Sequence, residues 1–174
     1  GGVSTLYGSI CGGTGQAGQE MDMGERISHD PTDHLNSNVI LIWGRNPAVT
    51  DIHLWKILLQ ARKKGTRLIT IDPVTSKTAK RSDIHLQPAP GSDGFLAMAM
   101  AIILLKDGFS DKKFINNHTK YFKDYIELLN EYSLNELSKI TDVPLNELYK
   151  ITRWYATGNP SSIILGWGLQ RYQQ

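Results

Sequence analysis

The chain has 174 residues, enough for one domain with a sizeable core, and its 40% hydrophobic and 21% charged content is that of a globular protein. A formal net charge of +2, with no dense run of Lys and Arg interleaved with aromatics, excludes a strongly basic nucleic-acid binder. The longest apolar stretch, 95–105, ends at Lys106 and is too short to span a bilayer, and no charged segment leading into an apolar one opens the sequence as a secretory signal would.

Residues 1–24 hold eight of the sixteen glycines and no charge before Glu20. Such a stretch has much backbone to present and little to pack, so it reads as a long functional loop with room for one short helix. Cys11, the sole cysteine, lies in it. A single cysteine excludes an internal disulfide and a cysteine-only zinc or iron–sulfur site, and it fits a reducing, cytoplasmic setting. Its place in an uncharged loop suits a soft thiolate metal ligand, although a lone cysteine is more often inert. Gly13, Gly15 and Gly18 spell GxGxxG, but a dinucleotide fingerprint needs a buried strand directly before it, and residues 4–10 make a poor one.

From Asn38 onward strands alternate with helices. Val39 to Trp43 is a continuous apolar run ending at Gly44, as in a strand buried on both faces. Arg45-Asn46-Pro47 turns the chain, and a helix follows over 51–64, with Ile52, Trp55, Leu58, Leu59 and Arg62 at helical spacing. Arg67 to Ile71 is a second strand, ended by Asp72-Pro73, and Ile84 to Leu86 a third. Ser92 reads as the cap of a helix whose apolar face is Phe95, Met98, Ala99, Ile102 and Ile103. Helical but less regular sequence spans 111–132. Ser133 and Glu136 form a capping-box pair, and Leu145, Leu148, Ile151 and Tyr155 mark a last helix ended by Gly158. Ser162 to Leu165 reads as a buried strand running into Gly166-Trp167-Gly168.

This order predicts an α/β fold, a parallel sheet with helices on both faces, with a ligand beyond the carboxyl ends of the strands. Gly44 there admits a close backbone approach and Asn46 offers donors and an acceptor, or the two simply make a tight turn. Asp72 suits ribose hydroxyls or a cap; Asp93 suits a guanine edge or helix-start support. The histidines at 29, 34, 53, 85 and 118 show no metal spacing and read as structural or exposed.

Taken together, these segments resemble the molybdopterin oxidoreductase (DMSO reductase) family. Val39 to Pro47 resembles its apolar run into W-G-x-N-P. Leu68 to Pro73, with Thr78-Ala79 and Asp83, resembles I-D-P…T-A…A-D, and Pro90 to Gly94 resembles P-G-T-D. Phe114-Ile115 with His118-Thr119 fits F-I…H-T, and Gly166 to Arg171 resembles G-W-x-x-Q-R. The resemblance implies the family's first molybdopterin-dinucleotide domain, Rossmann-like over 38–174, preceded by a glycine-rich active-site region over 1–37, both cut from a longer enzyme. It implies bis-molybdopterin guanine dinucleotide around molybdenum or tungsten, two-electron redox or oxygen-atom transfer on a small-molecule substrate, and an iron–sulfur segment upstream. The remaining domains of the same enzyme and an electron-transfer partner are the implied partners. Gly44, Asn46, Asp72 and Asp93 would hold guanosine and diphosphate, with Pro73, Gly91, Gly166 and Gly168 in the same loops. Trp167, Gln170 and Arg171 would lie nearer pterin and substrate. Cys11 is the best match to the metal ligand and Ser9 the second. One departure is plain: Val74 and Thr75 stand where the family often has an arginine. The competing readings are a nicotinamide dehydrogenase using Gly13 to Gly18 and a non-catalytic nucleotide-binding module.

Overall fold

The computed structural model describes residues 2–4, 11–25 and 27–172, Arg171 by its backbone alone. Helix α1 (Gly13–Met23) lies in the glycine-rich region and buries none of its residues, and a 3-10 turn over Pro31–Asn36 leads into the sheet. Then follow β1 (Val39–Trp43), α2 (Pro47–Thr50), α3 (Ile52–Lys63), β2 (Arg67–Ile71), β3 (Ile84–Leu86) and α4 (Asp93–Lys106). Helices α5 (Lys112–His118), α6 (Phe122–Asn130), α7 (Leu134–Thr141) and α8 (Leu145–Thr157) precede β4 (Ser161–Leu165), and a 3-10 turn over Trp167–Arg171 closes the described chain.

The four strands form one parallel sheet in the order β3-β2-β1-β4. All five residues of β1 are buried, because β1 is central and both its faces are covered. Leu41, Trp43, Ile69 and Ile71 pack with α4, α7 and α8 on one face, while Ile40, Ile42 and Leu68 pack with Leu54, Leu58 and Ala61 of α3 on the other. The predicted α/β class with helices on both faces is what the molecule has.

Local details differ from the sequence reading. Helix α3 buries Leu54, Leu58 and Ala61, not the face through Ile52, which is 65% exposed. Both stripes are apolar in sequence, and packing against Ile40, Ile42 and Leu68 of the sheet decides which is covered, while Asp51 caps the helix through Leu54 N–H. Helix α4 buries Leu96 and Met100 as well as Ala99, Ile102 and Ile103, because the sheet and α7 and α8 enclose it from several sides. Ser92 sits at the start of α4 without capping it; its hydroxyl donates to the Ala89 carbonyl instead. The capping box of Ser133 and Glu136 forms as its spacing predicts. Strand β4 is not buried as predicted. It is the sheet's edge, and Ile163 and Leu165 point out on the face that α4 and α8 leave uncovered there.

Candidate functional site

Parallel strands in register deliver their carboxyl ends to one rim: Trp43 lies beside Ile71 and Leu165, and Ile71 beside Leu86. The loops leaving that rim carry Gly44 to Asn46, Asp72-Pro73, Gly91 to Asp93 and Gly166 to Gln170. A cavity of about 410 Å³ opens there, lined by Trp43, Asp93, Gly94, Ala97, Leu165, Leu169 and Tyr172.

Each polar residue of the rim is oriented by a neighbour. Trp43 Nε1 donates to Asp93 Oδ1 at 2.6 Å, so an indole that packs in the core aims a carboxylate at the cavity. The sequence signal for this pair was available, since a buried indole N–H needs an acceptor, but strand periodicity does not say which one. Asn46 Oδ1 accepts from Thr78 Oγ1 at 2.8 Å, and Thr78 Oγ1 accepts from Ala48 N–H. This fixes the carboxamide with its Nδ2 donor uncommitted among the described residues. Asp72 accepts from Val74 N–H in a short turn rather than capping a helix, and its carbonyl meets His85 Nε2 at 2.8 Å. Pro73 is exposed and its carbonyl accepts from Gln87. Arg45 is held by Asp51 at 2.9 Å.

The segment after β4 ties these parts together. At Gly166 a Cβ would fall 1.7 Å from the Gly44 carbonyl oxygen, so only glycine allows the two strand ends to touch. Gly44 itself has φ +60°, and the Leu169 side chain fills the space beside it. Gly168 lies farther from the same carbonyl, and Tyr172 packs on Gly91. Gln170 then clamps the glycine-rich region: its Nε2 donates to the Cys11 carbonyl at 2.7 Å, and its Oε1 accepts from Gly15 N–H at 2.5 Å. The Trp167 ring covers Gly12. Cys11, Trp167 and Gln170 are therefore brought to one place although about 155 residues separate them in the chain. Cys11 is exposed there. Ser9 and the side chain of Arg171 lie outside the described residues.

Leu169 and Tyr172 were missed by the sequence reading, which looked for polar groups. The Gly13–Gly18 pattern lies inside helix α1 itself, so its glycines do not form a phosphate-binding strand-to-helix turn; residues 5–10 ahead of it lie outside the described residues. A cleft between the strand ends, with Asp72 in a turn and Asp93 held by Trp43 and neither in a helix cap, leaves the non-catalytic module the less favoured reading.

Two of the histidines are neighbours: His29 Nε2 lies 3.4 Å from His34 Nδ1, which also meets Ser162 Oγ at 2.9 Å. Among the described residues no group of three or more His, Cys, Asp or Glu is disposed to hold a metal. Burial pushes the His34 imidazole down to about 4, with the neighbouring His29 adding to the effect. A base whose folded value lies below its unfolded value stabilises the fold above about pH 6.5, and that contribution is lost as pH falls toward 4. We expect roughly 2–3 kcal/mol of stability to disappear over that window, and His34→Gln to flatten the dependence. Urea unfolding at pH 7 and pH 4.5 checks it; equal pH dependence in both proteins would remove His34 as the cause.

Comparison with known proteins places these features. The family model described as molybdopterin oxidoreductase matches residues 5–174. The chain is 40% identical to the "Probable oxidoreductase YyaE" of Bacillus subtilis over 99% of its own length and 26% of that protein's. It is 29% identical to the "F420-dependent formate dehydrogenase 2 subunit alpha" of Methanococcus maripaludis, over 84% of this chain and 22% of the relative. Among solved structures, acetylene hydratase from Pelobacter acetylenicus superposes with a TM-score of 0.69 at 29% identity, over 76% of this chain and 18% of that one. The chain spans about a quarter of the length of the curated relatives it matches. No helix among the described residues is long and apolar enough to cross a membrane.

Proposed function

The chain belongs to the molybdopterin oxidoreductase family, and from that premise we propose that it is the part of a larger molybdenum or tungsten enzyme that holds one molybdopterin guanine dinucleotide and presents the metal's protein ligand. The observation that carries this reading is the convergence of Asn46, Asp72 and Asp93 on the rim at which Gln170 also fastens Cys11.

The residues fit the group. Asp72 and Asp93 each commit one carboxylate oxygen to protein in the bonds above, which leaves acceptors for ribose hydroxyls and guanine N–H groups, and Asn46 Nδ2 supplies a donor. Gly44, Pro73, Gly91, Gly166 and Gly168 shape the loops. Arg45, spent on Asp51, supplies the diphosphate little charge, and Val74 supplies none. The bound group would carry the two-electron redox or oxygen-atom-transfer chemistry. The chain's own part is to bind and orient it: Trp43 aims Asp93, Gln170 fixes the Cys11 loop, and Trp167 packs against Gly12 beside it. Cys11 would be the thiolate ligand, with Ser9 the alternative, and Arg171 would steer the substrate. An iron–sulfur segment, the second dinucleotide site and an electron partner belong to the rest of the enzyme, and a cytoplasmic location is the matching expectation.

Metal and oxidised-pterin analysis of the full-length protein tests the reading: one molybdenum or tungsten per chain with guanine-bearing pterin is expected. A folded, fully matured protein with neither would refute it. Asp93→Asn should weaken cofactor retention roughly tenfold to a hundredfold, since a hydrogen bond to a charged group contributes about 1.5–3 kcal/mol. Pterin fluorescence per chain after dialysis reads the loss, and retention equal to the parent's would take Asp93 out of the site.

A further inference from the structure

A pair of imidazoles lies toward the amino ends of the strands, away from the carboxyl-end rim. His34 is buried in the 3-10 turn over Pro31–Asn36, which packs on α3, and His29 lies exposed in the segment leading into that turn. Ser162, the second residue of β4 and the neighbour of Ile40 in β1, reaches the same place. The atoms that meet are His29 Nε2, His34 Nδ1 and Ser162 Oγ. The two nitrogens are 3.4 Å apart, and the hydroxyl is 2.9 Å from Nδ1. Ser37 Oγ donates to that hydroxyl at 3.0 Å, and Thr66 Oγ1 donates to the Ser37 carbonyl at 2.6 Å, so Ser162 and His34 are held from behind.

Two polar atoms converge on a nitrogen that can serve one of them well. A neutral imidazole nitrogen carries either one proton or one lone pair. Ser162, which receives the Ser37 proton, has its own to give to Nδ1, and that bond has an ordinary length. The His29 contact does not, since 3.4 Å lies beyond the usual hydrogen-bond range. The two rings stand edge to face at 82° with centroids 4.5 Å apart, closer than an in-line N–H···N bond would leave them. The separation matches a different arrangement: two imidazole nitrogens bound to one tetrahedral zinc lie about 3.3–3.4 Å apart. Because His29 is exposed, its ring is able to turn and aim Nε2 at an ion shared with His34.

We propose that His29, His34 and Ser162 form a binding site for a divalent transition metal of the zinc type, with solvent completing its coordination. Neutral imidazole is a preferred ligand of such ions, and two of them with a hydroxyl oxygen leave room for water. The bound ion would tie the segment after α1 to β4, and so fasten the glycine-rich region to the sheet at a second point. The site shares no residue with the cofactor rim, and the proposal stands whether or not the cofactor reading does.

The test is calorimetric titration of the full-length, cofactor-loaded enzyme with zinc chloride, beside His29→Ala and, as a control, His53→Ala. Both histidines are exposed, so neither change disturbs the core. A saturable zinc site is expected in the parent and in His53→Ala, weakened about tenfold or more in His29→Ala. Zinc should also raise the melting temperature of the parent and not that of His29→Ala, because an ion bound only to the folded state stabilises it. X-ray absorption at the zinc edge should show nitrogen and oxygen neighbours at about 2.0–2.2 Å. Absence of saturable zinc binding overturns the proposal. So does zinc binding unchanged in His29→Ala, or sulfur in place of nitrogen around the bound ion.

Discussion

Cys11→Ala is expected to abolish turnover in the full-length enzyme, by more than a hundredfold, while metal and pterin stay at their parent levels. Losing a partner of a metal ligand typically costs ten- to a hundredfold, and losing the ligand itself should exceed that. The structural case rests on position. Cys11 is exposed, it immediately precedes α1, and its carbonyl is pinned by Gln170, which also receives Gly15 N–H. Two bonds from one side chain hold the backbone on either side of Gly12, so the thiol is presented from a fixed place. A cysteine needed only for packing would be buried, and its replacement by alanine would show in stability rather than in turnover. Turnover by the full-length enzyme can be read beside its metal content. Full activity with metal bound would move the ligand to Ser9 or beyond this segment.

Gly166→Ala is expected to cost about 3 kcal/mol or more, at or above the upper end of ordinary overpacking. A methyl at this position meets the Gly44 carbonyl at 1.7 Å and the Arg45 nitrogen at 3.0 Å, and both are backbone atoms that no rotamer change can move aside. The backbone of Gly166 is extended, with φ −97°, so the penalty is steric and not conformational. Relief requires the end of β4 to part from β1, and this would carry Leu169 off Gly44 and loosen the Gln170 clamp on Cys11. The variant should therefore lose stability in urea and also become sensitive to limited proteolysis near 166–172. Gly168→Ala serves as the control, because a methyl there finds the nearest atom at an ordinary 3.9 Å. Equal stability of the two variants would mean that the strand ends do not meet as described.

The candidate site was readable in part. Gly44, Asn46, Asp72 and Asp93 stood out because glycines and polar residues interrupt apolar strands at their carboxyl ends, and a parallel sheet collects those ends on one rim. The capping box of Ser133 and Glu136 was local enough to read, since its partners lie three residues apart. What could not be read were partnerships across the chain. Nothing in the spacing of Trp43 and Asp93, or of His34 and Ser162, says that they touch. The buried stripe of α3 and the exposure of β4 were misjudged for a related reason: an apolar residue records that burial is possible, and its neighbours in space decide whether burial occurs.

By itself, then, the amino-acid sequence determined the class of fold, the order of its strands and helices, and the loops from which a site would be built. These follow from backbone periodicity and turn chemistry, which act over a few residues. The tertiary structure alone decided which of those loops meet. The contact of Gly166 with Gly44, the aim of Trp43 on Asp93, and the grip of Gln170 on the Cys11 loop depend on the parallel register of β4 beside β1. That register is fixed by close packing of buried side chains on both faces of the sheet, a property of the assembled core and not of any single segment.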